Sequence, residues 1–255
     1  MKPSAVGSCV QRFWMGRTDC HACELTVPMP FAILDPGRHR AELSQLGNHL
    51  LPAGTPVALG GEPADAVFAI RSGFLKVWQY DDCGLCRIVR LLRPGDIFGL
   101  EALFQATYAH NATTLSRARL CRIPADVLGQ LEQQDPRLQY EVQRRWHQQL
   151  QQSDEFMLSV ASGSSRERVL KLLRYLAKFA APRPCPRVRR LDMAAMLQIS
   201  SETAARVIAD LKKAGVLEET ATELRFDPRA LPPLQHAVEK IVNGVTFSGQ
   251  DALRH

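Results

Sequence analysis

No run of about 18 apolar residues occurs in the 255-residue chain, which excludes a membrane-spanning helix. The opening MKPSAVGSCVQRFWMGRTDC lacks a continuous apolar core and a small-residue cleavage site, so no secretory signal is read there and a cytoplasmic protein is expected. The short motifs of common enzymes are also missing: there is no Walker loop, no Rossmann glycine fingerprint, no HExxH and no GxSxG. The seven histidines and the carboxylates form no recognisable catalytic grouping, so no enzyme is expected. Cysteine is sparse and odd in number, with Cys9, Cys20, Cys23, Cys83, Cys86, Cys121 and Cys185. That is no disulfide framework, and in a reducing compartment such thiols serve metals, catalysis or redox sensing.

What is present is ordinary in bulk: 45% hydrophobic and 23% charged residues, enough for one or two globular domains. The net charge is +6, compatible with a polyanionic partner. Its placement says more than its sum. RPCPRVRR, over 183–190, carries four arginines and no acid directly before a helical segment.

Over 51–124, apolar runs rich in β-branched and aromatic residues alternate with Gly54, Gly60, Gly73, Gly84, Gly95 and Gly99, which predicts a small antiparallel barrel or roll. From Ala125 the period becomes helical. Asp135 as cap and Pro136 as first residue open a long helix. Along it Leu138, Val142, Trp146, Gln149, Ser153, Phe156 and Val160 form a narrow seam, which either packs on its own copy or lies on the roll. SGSS at 162–165 closes it and caps a helix over 166–179. The segment LDMAAMLQISSETAARVIADLKKAGVLEE then predicts a short helix capped by Asp192, a turn at 198–200 and a second helix over 201–214. Val207, Ile208 and Leu211 would face Met193, Met196 and Leu197, leaving Ser201, Glu202, Ala205, Arg206 and Lys213 outside. A β-hairpin wing follows over 216–226. The second helix would offer its first turns to a DNA major groove. There Arg206 can reach guanine O6/N7 or a phosphate, Glu202 can accept from a cytosine amine or complement the helix dipole, and Ala205 can meet a thymine methyl. Ser201 and Thr203 stand at the helix start, and Arg187, Arg189, Arg190, Lys212 and Lys213 are candidates for phosphate.

RSGFLKV, RPGDIFGLEALF, LCRIP and ISSETAARVIADLKKAGVL stand in this order over about 150 residues, and together they resemble the CRP/FNR superfamily of bacterial regulators. The resemblance implies an α+β chain. It divides into an N-terminal cysteine-bearing arm (1–42), an antiparallel β-roll sensor like a cyclic-nucleotide-binding domain (43–134), a dimerisation helix (135–162), a winged helix-turn-helix (163–230) and a tail (231–255). Leu138, Val142, Trp146, Phe156 and Val160 would form the homodimer contact. Double-stranded DNA with TTGAT-like palindromic half-sites and RNA polymerase are the implied partners. Near the DNA-proximal end of the seam, Asp154 or Glu155 would oppose its mate until the sensor repositions the helix.

The roll implies a small-molecule or cofactor signal. The cyclic AMP subfamily needs an arginine–serine pair, which TYAHNATTL at 107–115 lacks, so cyclic AMP is not expected and Glu101 takes a structural role. The iron–sulfur branch fits better, and it implies a [4Fe–4S] cluster with Cys20 and Cys23 in DCHACELTVPM and Cys121 in LCRIP as ligands. Met29 stands about where that branch carries another cysteine, so Cys9 is the expected fourth ligand, with Asp19, His21 and Glu24 as alternatives. The same fold sensing nitric oxide or CO through haem, or sensing by thiol oxidation alone, stays open. Cys83 and Cys86, in DDCGLCR at a hairpin tip, are either turn thiols or a reversible disulfide beside RNA polymerase. Cys185 is read as incidental to a proline-rich linker, and the tail is expected to hold one helix over 234–242.

Overall fold

The computed structural model describes residues 10, 12–17, 30–35, 37–160, 162–181 and 185–233. Cys9, Cys20, Cys23 and the helix expected over 234–242 lie outside the described residues. Twelve strands are described: β1 (Trp14–Arg17), β2 (Gly47–Leu51), β3 (Pro56–Ala58), β4 (Ala66–Ser72), β5 (Leu75–Tyr80), β6 (Cys86–Leu92), β7 (Ile97–Phe98), β8 (Asn111–Thr114), β9 (Ala118–Pro124), β10 (Cys185–Pro186), β11 (Glu218–Glu219) and β12 (Glu223–Arg225). The described α-helices are α1 (Arg40–Leu43), α2 (Ala125–Gln134), α3 (Pro136–Glu155), α4 (Ser165–Ala180), α5 (Arg190–Leu197) and α6 (Ser201–Lys213). No described helix is long and apolar enough to cross a membrane.

Strict alternation builds the roll. One sheet has the order β1-β2-β9-β4-β7 and the other β3-β8-β5-β6, with every pairing antiparallel. On β4, Ala66, Phe68 and Ile70 enter the roll interior, as do Ala118 and Leu120 of β9. The intervening Val67, Ala69, Cys121 and Ile123 face outward, into a second core with Val127, Leu128 and Leu131 of α2 and Leu138 and Val142 of α3. The arm is part of this body: β1 is an edge strand on β2, and Phe31 and Leu34 are buried in the second core.

The β4–β5 turn demands glycine at 73. Its φ is +80°, and a Cβ there would meet the Arg117 carbonyl at 2.3 Å and Ala118 Cα at 2.8 Å. Backbone strain and overpacking add, so Gly73→Ala is expected to cost about 2–4 kcal/mol. The measurement is the midpoint of urea unfolding, and an unchanged midpoint would contradict the turn geometry.

Asp135 caps α3 as its residue type predicts, accepting from the Arg137 N–H at 3.0 Å with Pro136 at N1. The Arg137 guanidinium holds its carboxyl down at about 2. The seam requires a correction. Leu138 and Val142 are buried against the protein's own five-stranded sheet, and Phe156 and Val160 against its own C-terminal helices. Between them Arg145 donates to the Gly95 carbonyl at 2.7 Å and Gln149 to the Ile97 carbonyl at 2.9 Å. Of the five residues assigned to a dimer contact, only Trp146 is exposed, and its ring stacks on Phe104 at 6.0 Å. The period identified the buried face, but that face is covered within one chain.

Candidate nucleic-acid interface and sensor site

The C-terminal helices close a third core. Ser164 caps α4 in a reciprocal pair with Glu167, its N–H donating to Oε2 at 2.8 Å. Leu172, Leu173 and Leu176 of α4 then meet Met193, Met196 and Leu197 of α5 and Ala204, Val207, Ile208 and Leu211 of α6. Gln198 takes a left-handed conformation at φ 52° to end α5. Ser200 caps α6, its Oγ accepting from the Thr203 N–H at 3.1 Å. The cap is therefore Ser200, and Thr203 is half-buried in that cap rather than presented. Ser201 is half-buried and donates to Glu202 at 3.2 Å.

With the apolar face of α6 consumed, Glu202, Ala205 and Arg206 stand exposed at i, i+3 and i+4, one stripe over the first two turns. Its own backbone N–H, with the Ser200 and Ser201 hydroxyls, holds the Glu202 carboxyl below the usual range. It is thus an ionised acceptor, as recognition of a base amine needs.

The wing strands β11 and β12 form a sheet in the order β10-β12-β11. Cys185 lies on β10, buried in the third core, and burial pushes its thiol up to about 12. It is a packed strand residue, which replaces the linker reading. Glu219 of β11 gathers Arg187 at 3.0 Å, Arg190 at 2.7 Å and Lys212 at 3.4 Å. Arg190, named as a DNA contact, thereby ties the wing to the helix-turn-helix. Nothing in the local sequence marks Glu219, because its partners are 7 to 32 residues away.

Asp192 also differs from its expected role. Arg189 is the N-cap of α5, and Asp192 sits buried in the first turn. Its Oδ1 receives Lys76 of β5 at 2.5 Å and its Oδ2 receives Arg189 at 2.9 Å. Burial raises the carboxyl pKa, but these two cations outweigh it and leave the group ionised below its usual range. The outer face of β5–β6 is docked here: Ile88 and Leu91 share the third core with α4–α6. A second tie stacks Arg93 on the Phe179 ring, 3.5 Å from its centroid.

On the sensor side, Cys121 is 2% exposed in β9, facing the second core. Asn48 lies directly opposite it on β2, with a buried Oδ1 that has no hydrogen-bond partner among the described residues. Among the described residues no group of three or more His, Cys, Asp or Glu side chains could hold a metal. The chain on either side of the first cysteine pair is nevertheless anchored beside Cys121. Arg17 pairs with Gly47 and Gly47 with Arg122, which puts Arg17 two strand spacings, about 10 Å, from β9. Downstream, Phe31 is buried in the same core as Cys121.

In the roll interior, Tyr108 stacks on Phe98 and donates its hydroxyl to the Ala66 carbonyl at 2.7 Å. At the β5–β6 tip, Asp81 accepts from the N–H groups of Cys83 and Leu85 and pairs with Arg87 at 2.7 Å. Cys83 is exposed and Cys86 half-buried, where burial raises its thiol pKa.

Residues 48–135 match the family model described as the cyclic nucleotide-binding domain. Over 211 residues the chain is 26% identical to the anaerobic regulatory protein of Pasteurella multocida, which covers 78% of this chain and 74% of that one. It is 25% identical over 220 residues to the transcriptional activator protein anr of Pseudomonas aeruginosa, over 82% of this chain and 87% of that one. A CRP-family transcriptional regulator from Thermus thermophilus has the same fold, with a TM-score of 0.59 at 22% identity over 71% of this chain and 93% of that chain. With its roll in the first half and its helix-turn-helix in the second, the chain is similar along most of its length to these transcription regulators and shares the fold of the CRP-family protein.

Proposed function

We propose that this chain is a homodimeric, sequence-specific DNA-binding regulator of the cytoplasm that responds to oxygen through an iron–sulfur cluster and reads TTGAT-like half-sites. The observation that carries the DNA reading is the exposed stripe of Glu202, Ala205 and Arg206 on a helix whose opposite face is buried. Arg206 pairs with guanine, Glu202 with a cytosine amine, and exposed Arg187, Arg189, Lys212 and Lys213 lie around them for phosphate. The names of the relatives, an anaerobic regulatory protein and a transcriptional activator, support the oxygen-linked role.

The setting of Cys121, the one proposed cysteine ligand among the described residues, supports the cluster reading. Cys121 offers a thiol in an apolar surround beside the orphaned Asn48 oxygen. Cys20 lies three residues after Arg17 and Cys23 eight before Phe31, and at about 3.5 Å per residue both anchors leave them within reach of β9. Cys20, Cys23 and Cys121 would hold it, with Cys9 as the fourth ligand. When bound, a [4Fe–4S] group supplies an oxygen-labile, thiolate-held centre. Cys121 shares its core with Leu138 and Val142, so a change at the arm is passed to the packing of α3. Cyclic AMP is not the proposed signal, because 107–115 has no arginine–serine pair and Tyr108 occupies the roll interior.

The dimer contact is proposed on the outer face of α3. Tyr140, Gln143, His147, Leu150 and Asp154 are all exposed there and recur at alternating spacings of three and four. Two copies meeting on this stripe would bring like Asp154 charges together. Asp154→Ala is therefore expected to dimerise and bind DNA in air, read by light scattering and anisotropy, whereas a variant still monomeric in air would count against the stripe. RNA polymerase is the proposed further partner, at the β5–β6 tip where Tyr80 and Leu85 are exposed.

Anaerobic purification with iron and sulfide analysis tests the sensing reading. A broad visible shoulder bleached by air, with iron and sulfide in equal amounts, supports it. A sharp Soret band would assign haem instead, and a colourless protein would assign thiol chemistry.

A further inference from the structure

The pairing of Lys76, Asp192 and Arg189 crosses the molecule: 116 residues separate the lysine on the roll from the carboxylate on α5. The lysine and aspartate side chains are only 9% and 7% exposed, whereas the arginine is 64% exposed beside the helix-turn-helix. One buried carboxylate thus carries two cations of different situation. Lys76 is enclosed by the hairpin face that carries Ile88 and Leu91 into the third core. Arg189 is open to solvent and to whatever lies against α5. Its guanidinium donates Nε to Oδ2 at 2.9 Å and Nη2 to Oδ1 at 3.2 Å, so Oδ1 is shared with Lys76. The half-buried Cys86 is a further titratable group near the three.

We infer that Asp192 is a positioning residue for DNA binding, through which Lys76 of the sensor roll determines whether Arg189 is free to meet a phosphate. This inference rests on the DNA-binding reading above. A buried carboxylate stripped of its last cation is strongly unfavourable. With Lys76 in place, Arg189 can swing to a phosphate while Asp192 keeps a partner. Without Lys76, Arg189 must stay on Asp192, and DNA loses both the contact and the neutralised charge. By linkage the effect runs both ways. DNA that draws off Arg189 leaves Asp192 wholly to Lys76 and tightens the docking of the hairpin on α5. Arg187 and Arg190 pair with a different acid, Glu219 on the wing, and so do not share a carboxylate with Lys76.

The test titrates the full-length protein, prepared anaerobically, into a labelled palindromic duplex over a range of KCl concentrations. Lys76→Met is expected to lower affinity about tenfold, or 1.4 kcal/mol. The slope of log K against log salt should fall by about 1.8, one phosphate contact per protomer of a dimer. Arg189→Gln should give the same loss, and the double variant no further loss, although the two side chains are joined only through Asp192. Asp192→Asn should erase the effect of Lys76→Met, and Lys76→Arg should restore the slope. That rescue distinguishes a lost charge from a lost fold, with thermal melts as the companion readout. Wild-type affinity and slope in Lys76→Met, or losses that add in the double variant, would overturn the inference alone. Wild-type protein that binds no duplex would overturn the DNA-binding reading and this inference with it.

Discussion

Arg206→Ala is expected to lose about 1–3 kcal/mol of specific binding at each half-site, between about fivefold and about 150-fold in affinity. Arg206 is exposed and outside the third core, and alanine is a good helix former, so α6 should remain intact. The loss should fall on one base position. Wild-type protein discriminates at the guanine of the half-site, and the variant should bind the wild-type and guanine-substituted duplexes alike. Its salt slope should stay near that of the wild type. The alternative role for Arg206, a phosphate contact, predicts the opposite pattern: equal loss on all duplexes and a shallower slope. On the proposed reading Glu202→Ala should relax a different position, because an ionised carboxylate facing an amine would gain nothing from phosphate.

Cys121→Ala is expected to remove most of the iron and sulfide from anaerobically purified protein, and with them anaerobic DNA binding. The side chain is buried in an apolar core, so alanine is the cleaner replacement, and serine adds the cost of burying a hydroxyl, about 1–3 kcal/mol. Both variants should remain folded in far-UV circular dichroism. Cys185→Ala is the matched control: an equally enclosed thiol in the third core whose loss should leave iron content unchanged. Iron retained in Cys121→Ala would mean that β9 merely packs a cysteine.

Much of this arrangement is legible in the chain because local rules and tertiary packing agree. Val67 and Ala69 against Phe68 and Ile70 alternate as a sheet buried on both faces requires, and glycine occupies the turn that only it can make at 73. Asp135 and Pro136 announce α3, and Val207, Ile208 and Leu211 fix which side of α6 is left for DNA. The failures share a cause. Helical period identifies a buried face but says nothing of what covers it, so the seam of Leu138, Val142, Phe156 and Val160 pointed to a second copy although the chain's own sheet and helices lie there. Asp192 looks like a cap by residue type and position, yet it pairs with a lysine on the roll, 116 residues away. Arg190 looks like a phosphate ligand until β11 brings Glu219 to it. Charge pairs between distant segments leave no periodic trace.

The central claim is that one chain couples an oxygen-sensitive thiolate site to the reading of a palindrome. It is tested most directly by anisotropy titration of anaerobically purified protein with a duplex carrying two TTGAT half-sites, before and after exposure to air. Tight binding without oxygen, lost in air together with the visible absorbance, is the predicted result. Binding that is equally tight in air, or that does not distinguish the palindrome from a scrambled duplex, would contradict it.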